Sequence, residues 1–120
     1  MNATLQAQQA YAPARPTIQP PRAIEAHIIT DITARLSRET ANYPALVSAV
    51  HDNRRMWTTL AVDVADANNG LPAPLRAQIF YLAEFTEHHS KRFLRGEVDL
   101  TALIDINTAI LRGLKSRGRV

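Results

Sequence analysis

The sequence predicts an all-α protein, a small bundle of about four amphipathic helices behind a flexible N-terminal arm. Three observations predict it. Apolar residues recur three and four apart in four successive segments. Pro, Asn and Gly gather between those segments. No stretch alternates apolar and polar residues as a half-buried strand would.

Residues 1–20 form the arm, and residues 21–120 the helical domain. The arm is rich in Ala and Gln, and Pro13, Pro16, Pro20 and Pro21 prevent one helix from running through it. Its isolated Tyr11 and Ile18 either dock on something or belong to a loose terminus. The first helix starts near Pro21, because proline suits a first turn that requires no N–H. Ile24, Ile28, Ile32 and Leu36 then recur every fourth residue, and Ile29 broadens the stripe. Asn42, Tyr43 and Pro44 break the pattern.

The second helix runs over 44–66. Leu46, Val50, Asn53, Trp57, Leu60 and Val64 share one face of it. A buried Asn53 must find partners or it destabilises the fold. Asn68, Asn69 and Gly70 stop this helix, since Asn and Gly accept the left-handed conformation. The third helix spans 72–95, with Leu75, Ile79, Leu82, Thr86, His89 and Phe93 as its stripe. Phe80, Ala83 and Phe85 widen that surface, and the three phenylalanines follow a core-like pattern. Gly96 ends the third helix, and Asp99 is the N-cap expected for the fourth. Leu100, Leu103, Asn107, Ile110 and Leu114 form the last stripe, where Asn107 again interrupts an apolar seam.

The 120-residue chain suits one domain. Aromatics are only 6% of it, so aliphatic side chains must supply most of the core. The chain has no cysteine, which excludes disulfides, thiolate nucleophiles and cysteine metal ligands, and suits a cytoplasmic setting. The N-terminus does not read as a signal peptide, and no run approaches the ~18 apolar residues of a membrane span. A net charge of +3 is ordinary for a small domain. Arg112, Lys115, Arg117 and Arg119 crowd the C-terminus, either as a solvated helix end or as a weak contact for RNA or an acidic partner.

Chemistry-bearing patterns are scarce. Four scattered glycines cannot build a phosphate loop. His88 and His89 are neighbours, so on a helix they point about 100° apart and do not share a metal. Glu84 is expected to pair with His88 at the surface, while His89 lies on the packing face. Glu87 and Lys91 make an ordinary pair four residues apart, worth roughly 0.2–0.5 kcal/mol. Nothing marks a shielded carboxyl for general acid work. The expectation is a binding protein, not an enzyme, with no cofactor and no metal.

Several blocks carry a family resemblance. The run Asn53-Arg54-Arg55-Met56-Trp57-Thr58-Thr59-Leu60, then Asp63-Val64-Ala65, then Asn68-Asn69-Gly70-Leu71-Pro72, resembles the flagellar biosynthesis regulator FlaF of alphaproteobacteria. The runs Leu75-Arg76-Ala77-Gln78-Ile79 and Ile106-Asn107-Thr108-Ala109-Ile110-Leu111-Arg112-Gly113-Leu114 look like its remaining segments. In the arm, Ala10-Tyr11 and Pro21-Arg22-Ala23-Ile24-Glu25 fit as well. The resemblance implies a cytoplasmic regulator of flagellum biogenesis that binds flagellin in a chaperone-like manner and couples its synthesis to export. The alternative it implies is a post-transcriptional regulator of flagellin messenger RNA, acting directly or through the partner regulator FlbT. Direct RNA contact is the less favoured reading, and the apolar width of the third helix leaves a homodimer open.

The partner-binding candidates are Tyr11, Asn53, Arg54, Arg55, Met56, Trp57, Asn107 and Arg112. Trp57 is the best single anchor by residue type, yet its seam position favours the core. Arg54, Arg55 and Met56 lie beside it on other faces, as surface candidates. Asn53 and Asn107 either fix helix register or floor a groove.

Overall fold

The computed structural model describes the backbone of residues 21–38 and 42–118, and the side chains of 26–38 and 42–113. Among the described residues four helices follow one another: α1 (Pro21–Arg38), α2 (Tyr43–Ala65), α3 (Ala73–Leu94) and α4 (Thr101–Gly118). Tyr11 and the rest of the proposed arm lie outside the described residues. Among those residues there is no strand, so the fold is the expected helical bundle.

The helices form a ring in chain order. The α2–α3 pair is the most extensive; α1 packs on both α2 and α4, and of the four adjoining pairs α3–α4 is the sparsest. Ion pairs fasten the first two seams. Arg35 of α1 reaches Asp52 of α2 at 2.8 Å, and Arg54 of α2 reaches Glu87 of α3 at 2.6 Å. Each helix gives the interior one stripe. Ile29, Ile32 and Leu36 come from α1; Leu46, Ala49, Val50, Met56, Trp57, Leu60 and Val64 from α2. Ile79 and Ala83 come from α3, and Leu100 and Leu103 from just before and within α4. A fully buried aliphatic side chain of this kind stabilises by about 1.5–3 kcal/mol.

Three expectations about the stripes change. The buried line of α1 is Ile29, Ile32 and Leu36, while Ile28 is half-buried. Steps of three and four keep those residues over one face, whereas repeated steps of four drift around a helix of about 3.6 residues per turn. Phe80 points outward at 42% exposure, and Phe85 and Phe93 are half-buried, so the phenylalanines are not a core set. Beyond Asn107, no described residue of α4 is buried; Ile110 is only half-buried.

The helix ends follow local hydrogen-bond chemistry. Asn42 caps α2, its Oδ1 accepting from Ala45 N at 3.0 Å, and Pro44 sits in the first turn. The end of α2 departs from the expected glycine stop. Asp66 is extended there, and Gly70 is not left-handed. Side chains do the work instead: Asp66 Oδ1 accepts from Asn68 N, and Asn69 Nδ2 donates to the Asp63 carbonyl. Gly96 does stop α3, at φ +78°. Glu97 N donates to Arg92 O and Gly96 N to Phe93 O, both at 2.9 Å, which together make a Schellman motif. The start of α4 lies one residue later than expected. Leu100 O accepts the first helical bond from Ile104 N, while Asp99 Oδ1 accepts from Thr101 N.

The same substitution therefore has opposite effects at two glycines. Gly96→Ala forces a Cβ into the left-handed region and costs about 1–2 kcal/mol. Gly113 lies inside α4, and a Cβ added there would meet nothing within 4 Å, so Gly113→Ala stabilises by about 0.5–1 kcal/mol. Urea unfolding followed by circular dichroism distinguishes the two signs.

Candidate functional site

Two of the singled-out asparagines meet in the middle of the bundle. The only tryptophan, Trp57, presents its indole from α2 to the interior of the bundle. Its Nε1–H donates to Asn107 Oδ1 at 2.9 Å, although α2 and α4 stand diagonally across the ring. An indole nitrogen can only donate, so Asn107 must turn its oxygen toward it. That leaves Asn107 Nδ2 to donate to Asn53 Oδ1 at 2.9 Å and to Thr33 Oγ1 at 3.1 Å. Thr33 in turn donates to the Ile29 carbonyl at 2.6 Å. One donor-only group thus sets the amide orientation of two asparagines and joins α1, α2 and α4.

The third helix adds polar groups without closing the network. Asn53, Thr86, Ser90 and Asn107 are all essentially inaccessible to solvent. Asn53 Nδ2, Thr86 Oγ1 and Ser90 Oγ have no hydrogen-bond partner. The Arg54–Glu87 pair places Asn53 and Thr86, their inward chain neighbours, at a common level of the bundle. A buried polar group without a partner costs about 1–3 kcal/mol. The polar layer therefore holds register at a cost in stability.

A second feature lies over the α2–α3 seam. Arg54 grips Glu87 with two bonds, Nε to Oε1 at 3.0 Å and Nη2 to Oε2 at 2.6 Å. Lys91, four residues on, reaches the same carboxylate at 3.4 Å. The Arg54 hydrogen bond holds the Glu87 carboxyl below its ordinary value, against a smaller opposing effect of burial. The same bond raises the Arg54 guanidinium. At the far end of α3, His89 stacks on Phe85 and its Nε2–H donates to the Asp99 carbonyl at 3.2 Å. His89 thus lies on the packing face as expected. His88 and Glu84 are both exposed, and no bond joins them, so the expected surface pair is absent.

The sequence candidates divide accordingly. Asn53, Trp57 and Asn107 converge on the internal layer. Met56 is buried, so it is not the surface contact expected of it. Arg54 is committed to Glu87, while Arg55 and Arg112 are exposed. Tyr11 lies outside the described residues. Sequence reasoning missed Thr33, although it stands four residues after Ile29 and three before Leu36, the spacing of the buried stripe. It also missed the outward Val62 and Tyr81, both 64% exposed. Among the described residues, no group of three His, Cys, Asp or Glu side chains could hold a metal ion. Among the same residues, no helix is long and apolar enough to cross a membrane.

Two measurements check this geometry. Asn107→Leu strands the Trp57 N–H and removes both amide bonds, and destabilises by roughly 2–4 kcal/mol. Adding Trp57→Phe costs less than it does alone, because its donor is already stranded; strict additivity in a double-mutant cycle would refute the network. For Glu87, the lowered folded-state value means stability is fully present above the ordinary glutamate range. It is lost as pH falls through the lowered value. In Arg54→Ala, NMR titration shows the Glu87 carboxyl moving back upward, and the acid end of the stability profile flattens.

Comparison with known proteins adds an independent finding. No curated protein and no solved structure matches the chain. A family model described as "Flagellar protein FlaF" matches residues 7–114, which takes in all of the first three helices and most of α4. The chain belongs to the FlaF family of flagellar proteins.

Proposed function

We propose that this protein is a regulator of flagellum biogenesis that binds flagellin in a chaperone-like manner, in the cytoplasm, and so couples flagellin synthesis to export. Membership of the flagellar family carries the reading. The chemistry of the interior agrees with binding rather than catalysis. Its polar layer consists of amides, hydroxyls and an indole, none of which changes charge near neutral pH.

The exterior offers apolar contact. Phe80 precedes Glu87 by two turns and so stands at the α2 edge of α3. Because α2 and α3 are paired antiparallel, Val62 lies at a similar level on α2, and Tyr81 continues the edge outward. Large exposed aromatic side chains contribute disproportionately when a partner covers them. Arg55 and Arg112 supply exposed positive charge. Direct contact with flagellin messenger RNA is disfavoured, because Arg35, Arg54, Lys91, Arg92 and Arg95 already serve carboxylates. Any effect on the message then passes through a partner such as FlbT.

Calorimetric titration of the full chain with flagellin is expected to show saturable binding without RNA. The double substitution Phe80→Ser and Tyr81→Ser weakens it at least ~10-fold, equivalent to about 1.4 kcal/mol, with an unchanged helical spectrum. Flat titrations with flagellin and its terminal segments would exclude this function. A gel-shift series on flagellin leader RNA is expected to show no retardation at low salt. A shift that weakens steeply as salt rises would favour direct RNA binding instead.

A further inference from the structure

The two halves of α4 are held very differently. Leu100, just before it, and Leu103, in its first turn, are buried; Asn107, near its centre, is locked into the polar layer. From Thr108 to Gly113 no side chain is buried, and Ile110 and Leu111 are only half-covered. Gly113 further weakens this half, since an exposed glycine inside a helix favours the unfolded chain. Packing between α3 and α4 is the sparsest in the ring. The apolar core against which Ile110 and Leu111 pack includes Leu60 and Val64 of α2 and Ile79 of α3, with half-buried Leu71 and Leu75 packed on it as well. The stranded donor and hydroxyls of Asn53, Thr86 and Ser90 reduce the advantage of the closed layer over an open one.

We propose that the C-terminal half of α4 peels from the bundle with Asn107 as its latch, and that the berth it leaves takes an amphipathic helix from the bound partner. The occupant's chemistry is read from α4 itself. It needs apolar residues three and four apart to cover Leu60, Val64 and Ile79. It also needs one side-chain amide in that stripe, whose oxygen faces the Trp57 N–H and whose nitrogen faces Asn53. This rests on the preceding proposal only for the helix's being flagellin's; the peeling and the preference for an amide do not depend on it. The Phe80–Tyr81 edge lies along the α2–α3 side, away from α4, so the two contacts can be tested separately.

Hydrogen exchange read by mass spectrometry on the full chain tests the peeling. Amides of 108–113 are expected to exchange at least tenfold faster than those of 53–60. Gly113→Ala slows the 108–113 segment by about threefold, in keeping with its gain in stability. Asn107→Ala speeds it by about tenfold or more; if that variant fails to fold, wild type and Gly113→Ala still decide. Equal rates in both segments, so that α4 opens only with the whole domain, would overturn the proposal.

The berth is probed with a labelled synthetic peptide of residues 99–118 and its Asn107→Leu counterpart. The first is expected to bind the full chain in fluorescence anisotropy, to speed exchange of the resident 108–113 segment, and to shift Trp57 emission. The second is expected to bind at least tenfold more weakly. Equal binding of the two peptides, or none by either, would overturn the berth. Concentration-dependent dimerisation that protects α4 would replace it with exchange between copies. Peptide exchange with a flat flagellin titration would sink the flagellin reading alone. Flagellin binding that leaves 108–113 exchange and Trp57 emission unmoved would sink the berth alone.

Discussion

The interior is organised around one hydrogen bond, from the Trp57 indole N–H to the Asn107 carbonyl oxygen. Because the indole cannot accept, the bond has only one sense, and that sense propagates. It turns the Asn107 nitrogen toward Asn53 and Thr33, and it turns the Asn53 oxygen toward Asn107. Apolar side chains tolerate sliding along a helix seam, whereas a chain of directed donors and acceptors does not. Moving α4 by one turn would carry Asn107 about 5.4 Å from all three partners. The polar layer therefore selects one register among several that the aliphatic stripes alone would allow.

The surface repeats this logic more weakly. Arg35 and Asp52 index α1 against α2, and Arg54 and Glu87 index α2 against α3. Both pairs are partly exposed, so each contributes modestly and is screened by salt. Their geometry still matters, because the fork of Arg54 fits the Glu87 carboxylate with two bonds and allows little rotation about the seam. The Schellman turn at Gly96 then fixes where α3 ends, and His89 ties that turn to Asp99.

Helix number and the central seam were legible because steps of three and four have one meaning on a helix. Asn53, Trp57 and Asn107 were placed on packing faces by spacing alone. What spacing could not provide was the identity of the flanks. Arg54 and Met56 lie on opposite sides of the seam through Asn53 and Trp57, and nothing in the pattern distinguishes them. One flank proved to face α3, the other to be interior. Phe80 misled for the same reason, since an apolar residue beside a stripe reads as extra core until its neighbours are known. Thr33 was overlooked because a threonine amid isoleucines looks like a propensity cost. Its role depends on an acceptor demand created by Asn107, 74 residues away.

The buried amides also explain why the pattern of the fourth helix overstated its burial. Leu100, Leu103, Asn107 and Ile110 share one periodicity, so the sequence treats them alike. Burial separates them: full at Leu103 and Asn107, partial at Ile110. A helix that needed only to complete the core would keep its apolar residues covered beyond the last polar bond. Here the last fully covered described position is Asn107 itself, so directed bonding and apolar cover end together. A latch at that boundary couples the two, because loss of the Asn107 bonds removes the restraint on a segment whose packing is already incomplete. The bundle thus sets its most specific interaction beside a helical surface that is only partly buried.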